Sequence, residues 1–125
     1  MILDTNAISA LFLGDPALEA VLAGAGRHHL PSIVIGEYRY GLARSRHRGR
    51  LGEILDALIA ESVVLVVDVA TTRHYAWVRN ELRRLGTPIP ENDVWIAALA
   101  RQHALTVVSR DEHFDRVPQL VRRGW

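Results

Sequence analysis

The chain contains no cysteine, so disulfide frameworks, thiolate zinc sites and cysteine nucleophiles are excluded. It has no lysine either, because all 15 of its basic residues are arginine. A P-loop lysine, a Schiff-base lysine and the phosphate-contacting lysine of a receiver domain are therefore missing. Long apolar runs are also absent. The longest stretch free of Asp, Glu and Arg is the ten residues Thr5 to Gly14, too short to span a bilayer. No basic leader precedes Asp4, which predicts no signal peptide, no membrane partner and a cytoplasmic protein. Neither sign of charge is in excess. The net charge of +1 argues neither for nor against nucleic acid, so the distribution of charge has to decide.

What is present is globular. Of 125 residues, 49% are hydrophobic and 23% charged, enough to fold as one ordinary domain over residues 1–125. No repeat, linker or low-complexity tract interrupts it. Short β-like runs alternate with helical ones. Met1–Leu3, His28–Leu30, Ser62–Val67, Leu105–Ser109 and Leu120–Arg122 are the strand candidates. The apolar centre of Ser62–Val67 predicts a strand buried on both faces. Helices are expected over Thr5–Leu13, over a segment capped by Asp15-Pro16 and reaching Ala23, and from a Ser32 cap through Arg44. Further helices are expected over Arg50–Ala60, Thr71–Leu85 and Glu91–His103. Strands separated by helices predict an α/β sandwich, with a mainly parallel sheet of four to five strands and helices on both faces.

In such sheets the working site lies outside the carboxyl ends of the strands. Asp4 directly follows the first strand, and Asp111 follows the fourth with only Arg110 between. Asp93 lies in the first turn of its helix, and Glu37 early in its own. Each acid has a plain structural explanation taken alone. Asp4 and Asp111 suit helix caps, Asp93 suits the helix dipole, and Glu37 suits a solvated helix face. The shared edge of the sheet is what brings the four together.

The segments Ile2-Leu3-Asp4-Thr5-Asn6, Gly36-Glu37-Tyr38-Arg39-Tyr40-Gly41, Asn92-Asp93-Val94-Trp95-Ile96-Ala97-Ala98 and Val107-Val108-Ser109-Arg110-Asp111 stand in this order. In order and spacing they resemble PIN-domain ribonucleases, most of all the VapC toxins of type II toxin–antitoxin systems. The resemblance covers essentially the whole chain, including Gly86-Thr87-Pro88-Ile89-Pro90 and Trp125. It implies a PIN-like sandwich, a divalent metal site and RNA cleavage. Position by position, it assigns the acidic site to Asp4, Glu37, Asp93 and Asp111, with Asn6 as a supporting polar residue. It also implies a VapB-like antitoxin that blocks the site, and a toxin homodimer.

Chemistry explains why such a site needs acids. A phosphodiester repels an anionic nucleophile, and hard oxygen ligands hold Mg²⁺ or Mn²⁺, which acidifies water and offsets charge in the transition state. On this reading Asp4, Asp93 and Asp111 hold metal and Glu37 orients or deprotonates the attacking water. Histidine does not compete for the role. His28, His29, His47, His74, His103 and His113 form no i, i+4 pair and no HExxH; His113 lies near Asp111, Glu112 and Asp115, a setting that suits a metal, but it precedes a core-like Phe114. All six are expected to be solvated or structural. No GxSxG surrounds any serine. Between Arg39 and Arg50, Arg39, Arg44, Arg46, Arg48 and Arg50 occur with no acid among them, either as a solvated helix end or as contacts to RNA phosphates or to an antitoxin. Other functions stay open at this point: a PIN nuclease of RNA maturation or repair, a phosphatase of the haloacid-dehalogenase type, and a non-catalytic binding module.

Overall fold

The computed structural model describes residues Met1–Trp125. Five short strands form one sheet: β1 (Ile2–Leu3), β2 (His29–Pro31), β3 (Val63–Leu65), β4 (Val107–Val108) and β5 (Arg122–Arg123). Their order is β3-β2-β1-β4-β5 and every pairing is parallel. Ile2 stands opposite His29 on one side and Val107 on the other. Six helices connect them: α1 (Thr5–Phe12), α2 (Pro16–Leu22), α3 (Ser32–Leu42), α4 (Arg48–Glu61), α5 (Val69–Leu85) and α6 (Glu91–His103). A 3-10 helix spans Glu112–Arg116 after β4.

Consecutive strand residues point to opposite faces of a sheet. Ile2, Leu3, Val107 and Val108 are all fully buried, so both faces of the central strands are covered, as a parallel sheet requires. The chain winds outward from β1 through β2 to β3, then crosses back to β4 and β5. The winding therefore reverses between β1 and β4, and a crevice opens at the carboxyl ends of strands where that happens.

Local chemistry sets the element ends. Asp15 accepts the Ala17 and Leu18 amides and starts α2, with Pro16 in the first turn. Gly86 ends α5 at φ 68°, a left-handed conformation that side chains disfavour.

Several elements depart from the sequence pattern. The third strand is shorter than Ser62–Val67 and lies at the sheet edge, so it is not buried on both faces: Val64, Val66 and Val67 are exposed. Its apolar run reflects β propensity at an edge, which hydrophobicity cannot tell from the centre. Pro31, not Ser32, occupies the cap position of α3, with no side-chain cap bond, and the helix stops at Leu42, short of Arg44. Helix α4 starts at Arg48 and runs to Glu61. Helix α5 begins two residues before Thr71, because Asp68 and Thr71 form a reciprocal capping box. Strands β4 and β5 are only two residues each. No helix is long and apolar enough to cross a membrane.

Candidate metal-binding active site

Asp4 leaves β1 at the reversal point, and its backbone N–H still donates to Val108 O at 3.2 Å. It is 4% exposed. Its Oδ1 accepts the Thr5 amide at 2.8 Å, so it does cap α1, while Oδ2 accepts the Ser109 hydroxyl at 2.7 Å. Asp93 lies in the first turn of α6 with its side chain 13% exposed. Asp111 starts the 3-10 helix, accepting the His113 amide at 2.9 Å. Glu37 lies half-buried on α3, and its Oε1 accepts Asn92 Nδ2 at 2.6 Å, tying α3 to α6. All four acids line one crevice of about 470 Å³ together with Thr5, Asn6, Pro90, Glu91 and Asn92; none of its lining residues is hydrophobic.

The crevice strains its own charges. Burial raises the Asp4 carboxyl above its ordinary range, and the negative charges of Glu37 and Asp111 push the same way, while Ser109 and the Thr5 amide oppose them. Asp93 is pushed up to about 6, first by burial and then by the charge of Asp4, with His113 acting against the shift. Crowded carboxylates in a crevice lined mostly by polar residues are a donor set that fits a hard divalent cation.

Two residues of the site escape sequence reasoning. Ser109 is fully buried. Its hydroxyl donates to Asp4 and accepts both Asn6 Nδ2 (3.2 Å) and the Asp111 amide (3.0 Å). One hydroxyl thus fixes β1, α1 and the β4 loop relative to each other. Asn6 adds a second tie by accepting the Arg110 amide at 3.2 Å. The Ser-x-Asp spacing of Ser109 and Asp111 after a strand is the available signal. The second is His113, whose Nδ1 lies 2.8 Å from Asp111 and 3.3 Å from Asp93. Phe114 anchors in the core as expected, fully buried, and the ring of its neighbour His113, 38% exposed, rests against the two acids, contacts that a structural histidine also makes.

The arginine run is less uniform than its composition. Arg39 is paired with Asp56 at 2.8 Å. Arg44 donates to Tyr40 Oη at 3.0 Å and lies over the ring. Arg48 bonds only the Ser45 carbonyl, at 3.5 Å, and Arg46 forms no ion pair. A groove of about 650 Å³ adjoins the acidic crevice, sharing Thr5, Glu37 and Asn92 with it, and leads to Tyr40.

Fold and site define the class: a parallel α/β protein whose switch-point crevice carries convergent acids. The chain belongs to the PIN domain family, which matches residues 1–120. A VapC ribonuclease of Sinorhizobium fredii is 36% identical over 124 residues, covering 89% of this chain and 86% of that protein. The tRNA(fMet)-specific endonuclease VapC of Shigella flexneri is 29% identical, covering 98% and 96%. In a solved structure of VapBC2 from Rickettsia felis bound to a promoter DNA fragment, one chain superposes with a TM-score of 0.86 at 26% identity, covering 99% of this chain and 97% of that one.

Proposed function

We propose that the chain, read as one domain over residues 1–125, is a divalent-metal-dependent endoribonuclease and the toxin of a VapBC-type pair. The convergence of Asp4, Glu37, Asp93 and Asp111 on one polar crevice carries this reading, in a chain similar throughout to VapC ribonucleases. Asp4, Asp93 and Asp111 would hold Mg²⁺ or Mn²⁺. Once bound, such a cation lowers the pKa of a water and offsets phosphate charge. Glu37, braced by Asn92, orients the attacking water and takes its proton. Ser109 and Asn6 hold Asp4 and Asp111 in register. Water attack leaves a 5′-phosphate and a 3′-hydroxyl, since the ribose 2′-hydroxyl takes no part. The test is a single-stranded RNA incubated with Mn²⁺, with and without EDTA, followed by end analysis. Cleavage with 5′-phosphate ends that EDTA abolishes is expected; cleavage in EDTA, or cyclic phosphate ends, overturns the mechanism.

RNA would track from the crevice along the groove toward Tyr40 and Arg44, with Arg46 and Arg48 beyond. Arg39 contributes least, being neutralised by Asp56. Replacing Arg44, Arg46 and Arg48 together by Ala is expected to weaken RNA binding and lower the slope of log affinity against log salt by about 1–3. Filter binding from low to moderate salt measures it, and an unchanged slope returns these residues to a solvated surface. A VapB-like antitoxin and a second copy of the chain are the proposed protein partners. The Rickettsia felis structure is of VapBC2, and VapBC-5 of Mycobacterium tuberculosis, similar in fold to this chain, is a member of the VapBC family of toxin-antitoxin systems.

A further inference from the structure

None of the roles above uses His113, yet its ring lies against two of the acids that line the crevice. Nδ1 lies 2.8 Å from an Asp111 oxygen and 3.3 Å from an Asp93 oxygen. One donor atom from each of these residues lies within 4.8 Å of the other two. Two ligands at right angles, each about 2.1 Å from a cation, are about 3.0 Å apart. The observed separations bracket that octahedral edge.

The backbone holds the ring there. Asp111 and His113 share one short turn, closed by the His113 amide donating to the Asp111 carboxylate. Phe114, fully buried, pins the next residue. The imidazole is 38% exposed and Nε2 has no protein partner, which leaves that nitrogen to water, as metal-bound imidazoles commonly require.

We propose that His113 is a nitrogen ligand of the divalent-cation site, forming one face with Asp93 and Asp111 and biasing the site toward Mn²⁺ and Co²⁺ over Mg²⁺. The inference rests on the metal-dependent reading above. Magnesium takes oxygen donors and keeps several waters, whereas imidazole suits the later divalent ions. The same distances also fit an imidazolium lodged between two carboxylates. The two arrangements predict opposite responses. Removing a ligand weakens Mn²⁺ binding; removing a lodged cation frees the acids and tightens it.

Pulsed electron paramagnetic resonance of Mn²⁺ bound to the wild-type protein is expected to show coupling to an imidazole nitrogen, a readout that needs no variant. His113→Ala is expected to lose that coupling and to raise the Mn²⁺ dissociation constant at least about tenfold. Its Mg²⁺ constant, by calorimetry, should change by about threefold or less. Unfolding in EDTA checks that the turn survives, and His113→Gln repeats the comparison in a side chain of closer bulk. No nitrogen coupling in the wild type, or Mn²⁺ binding that is unchanged or tighter in a folded variant, overturns the assignment. Wild-type protein that binds neither ion and cuts no RNA would instead overturn the metal-dependent nuclease reading.

Discussion

Asp4→Asn is expected to lower RNA cleavage at least about a hundredfold, while the metal-free protein keeps its stability to within about 1 kcal/mol. The two effects separate because Asp4 has two duties. As a helix cap it presents Oδ1 to the Thr5 amide, and an asparagine carbonyl can do the same. As a charged group it is buried, with its carboxyl raised by burial and by Glu37 and Asp111. Removing that charge relieves the metal-free site. The gain is limited, because the new amide group faces Ser109 Oγ, which already receives two N–H donors. The mismatch at Ser109 offsets part of the relieved charge, and on the proposed reading the lost carboxylate ligand has nothing to replace it.

Thermal unfolding in EDTA and in Mn²⁺ distinguishes the duties. A cation at a hundred times its dissociation constant stabilises the wild type by about 2.7 kcal/mol, and the weaker-binding variant should gain much less. A variant clearly less stable in EDTA, yet as responsive to Mn²⁺ and as active as wild type, would leave Asp4 as a cap alone.

The sheet and the acids are legible in the sequence because they depend on local pattern. Short apolar runs followed by an acid mark strand ends, and alternation with helices dictates a parallel sheet. The strand order, with its reversal between β1 and β4, supplies the reason why Asp4 and Asp111 meet. Periodicity does not encode strand order. That is also why Ser62–Val67 has the pattern of a central strand and lies at an edge. Ser109 and His113 are illegible as site residues for a different reason. Beyond the Ser-x-Asp spacing, a lone serine or histidine carries little signal, and each makes its decisive contacts with partners distant in sequence: Asp4 and Asn6 for Ser109, Asp93 for His113. The arginine run shows the converse. Its composition is plain, but the pairing of Arg39 with Asp56 depends on how α3 packs against α4.

The metal-free protein is expected to lose stability as pH rises from about 4 to about 6, by on the order of 3 kcal/mol through Asp93. Its carboxyl sits at about 6 in the folded chain against 3.8 for the free side chain. Between those values the folded state holds a proton that the unfolded state has released, so each rise in pH favours unfolding. Below about 4 both states are protonated and the penalty vanishes; above about 6 it is fully present. Asp4, whose carboxyl is also raised, adds to the fall. Asp15, Asp68 and Asp115 are shifted downward, hydrogen bonds outweighing burial, so their stabilising contribution changes mainly below about 4 and is nearly complete across this range. The informative quantity is therefore the difference between wild type and Asp93→Asn in urea unfolding across this range, because the variant shares every other group. That difference should grow with pH in favour of the variant in EDTA. Saturating Mn²⁺ should shrink it, since a cation held as proposed, among Asp4, Asp93, Asp111 and His113, would compensate the charge that burial penalises. Parallel pH profiles for the two proteins in EDTA would show that Asp93 carries no stored electrostatic cost.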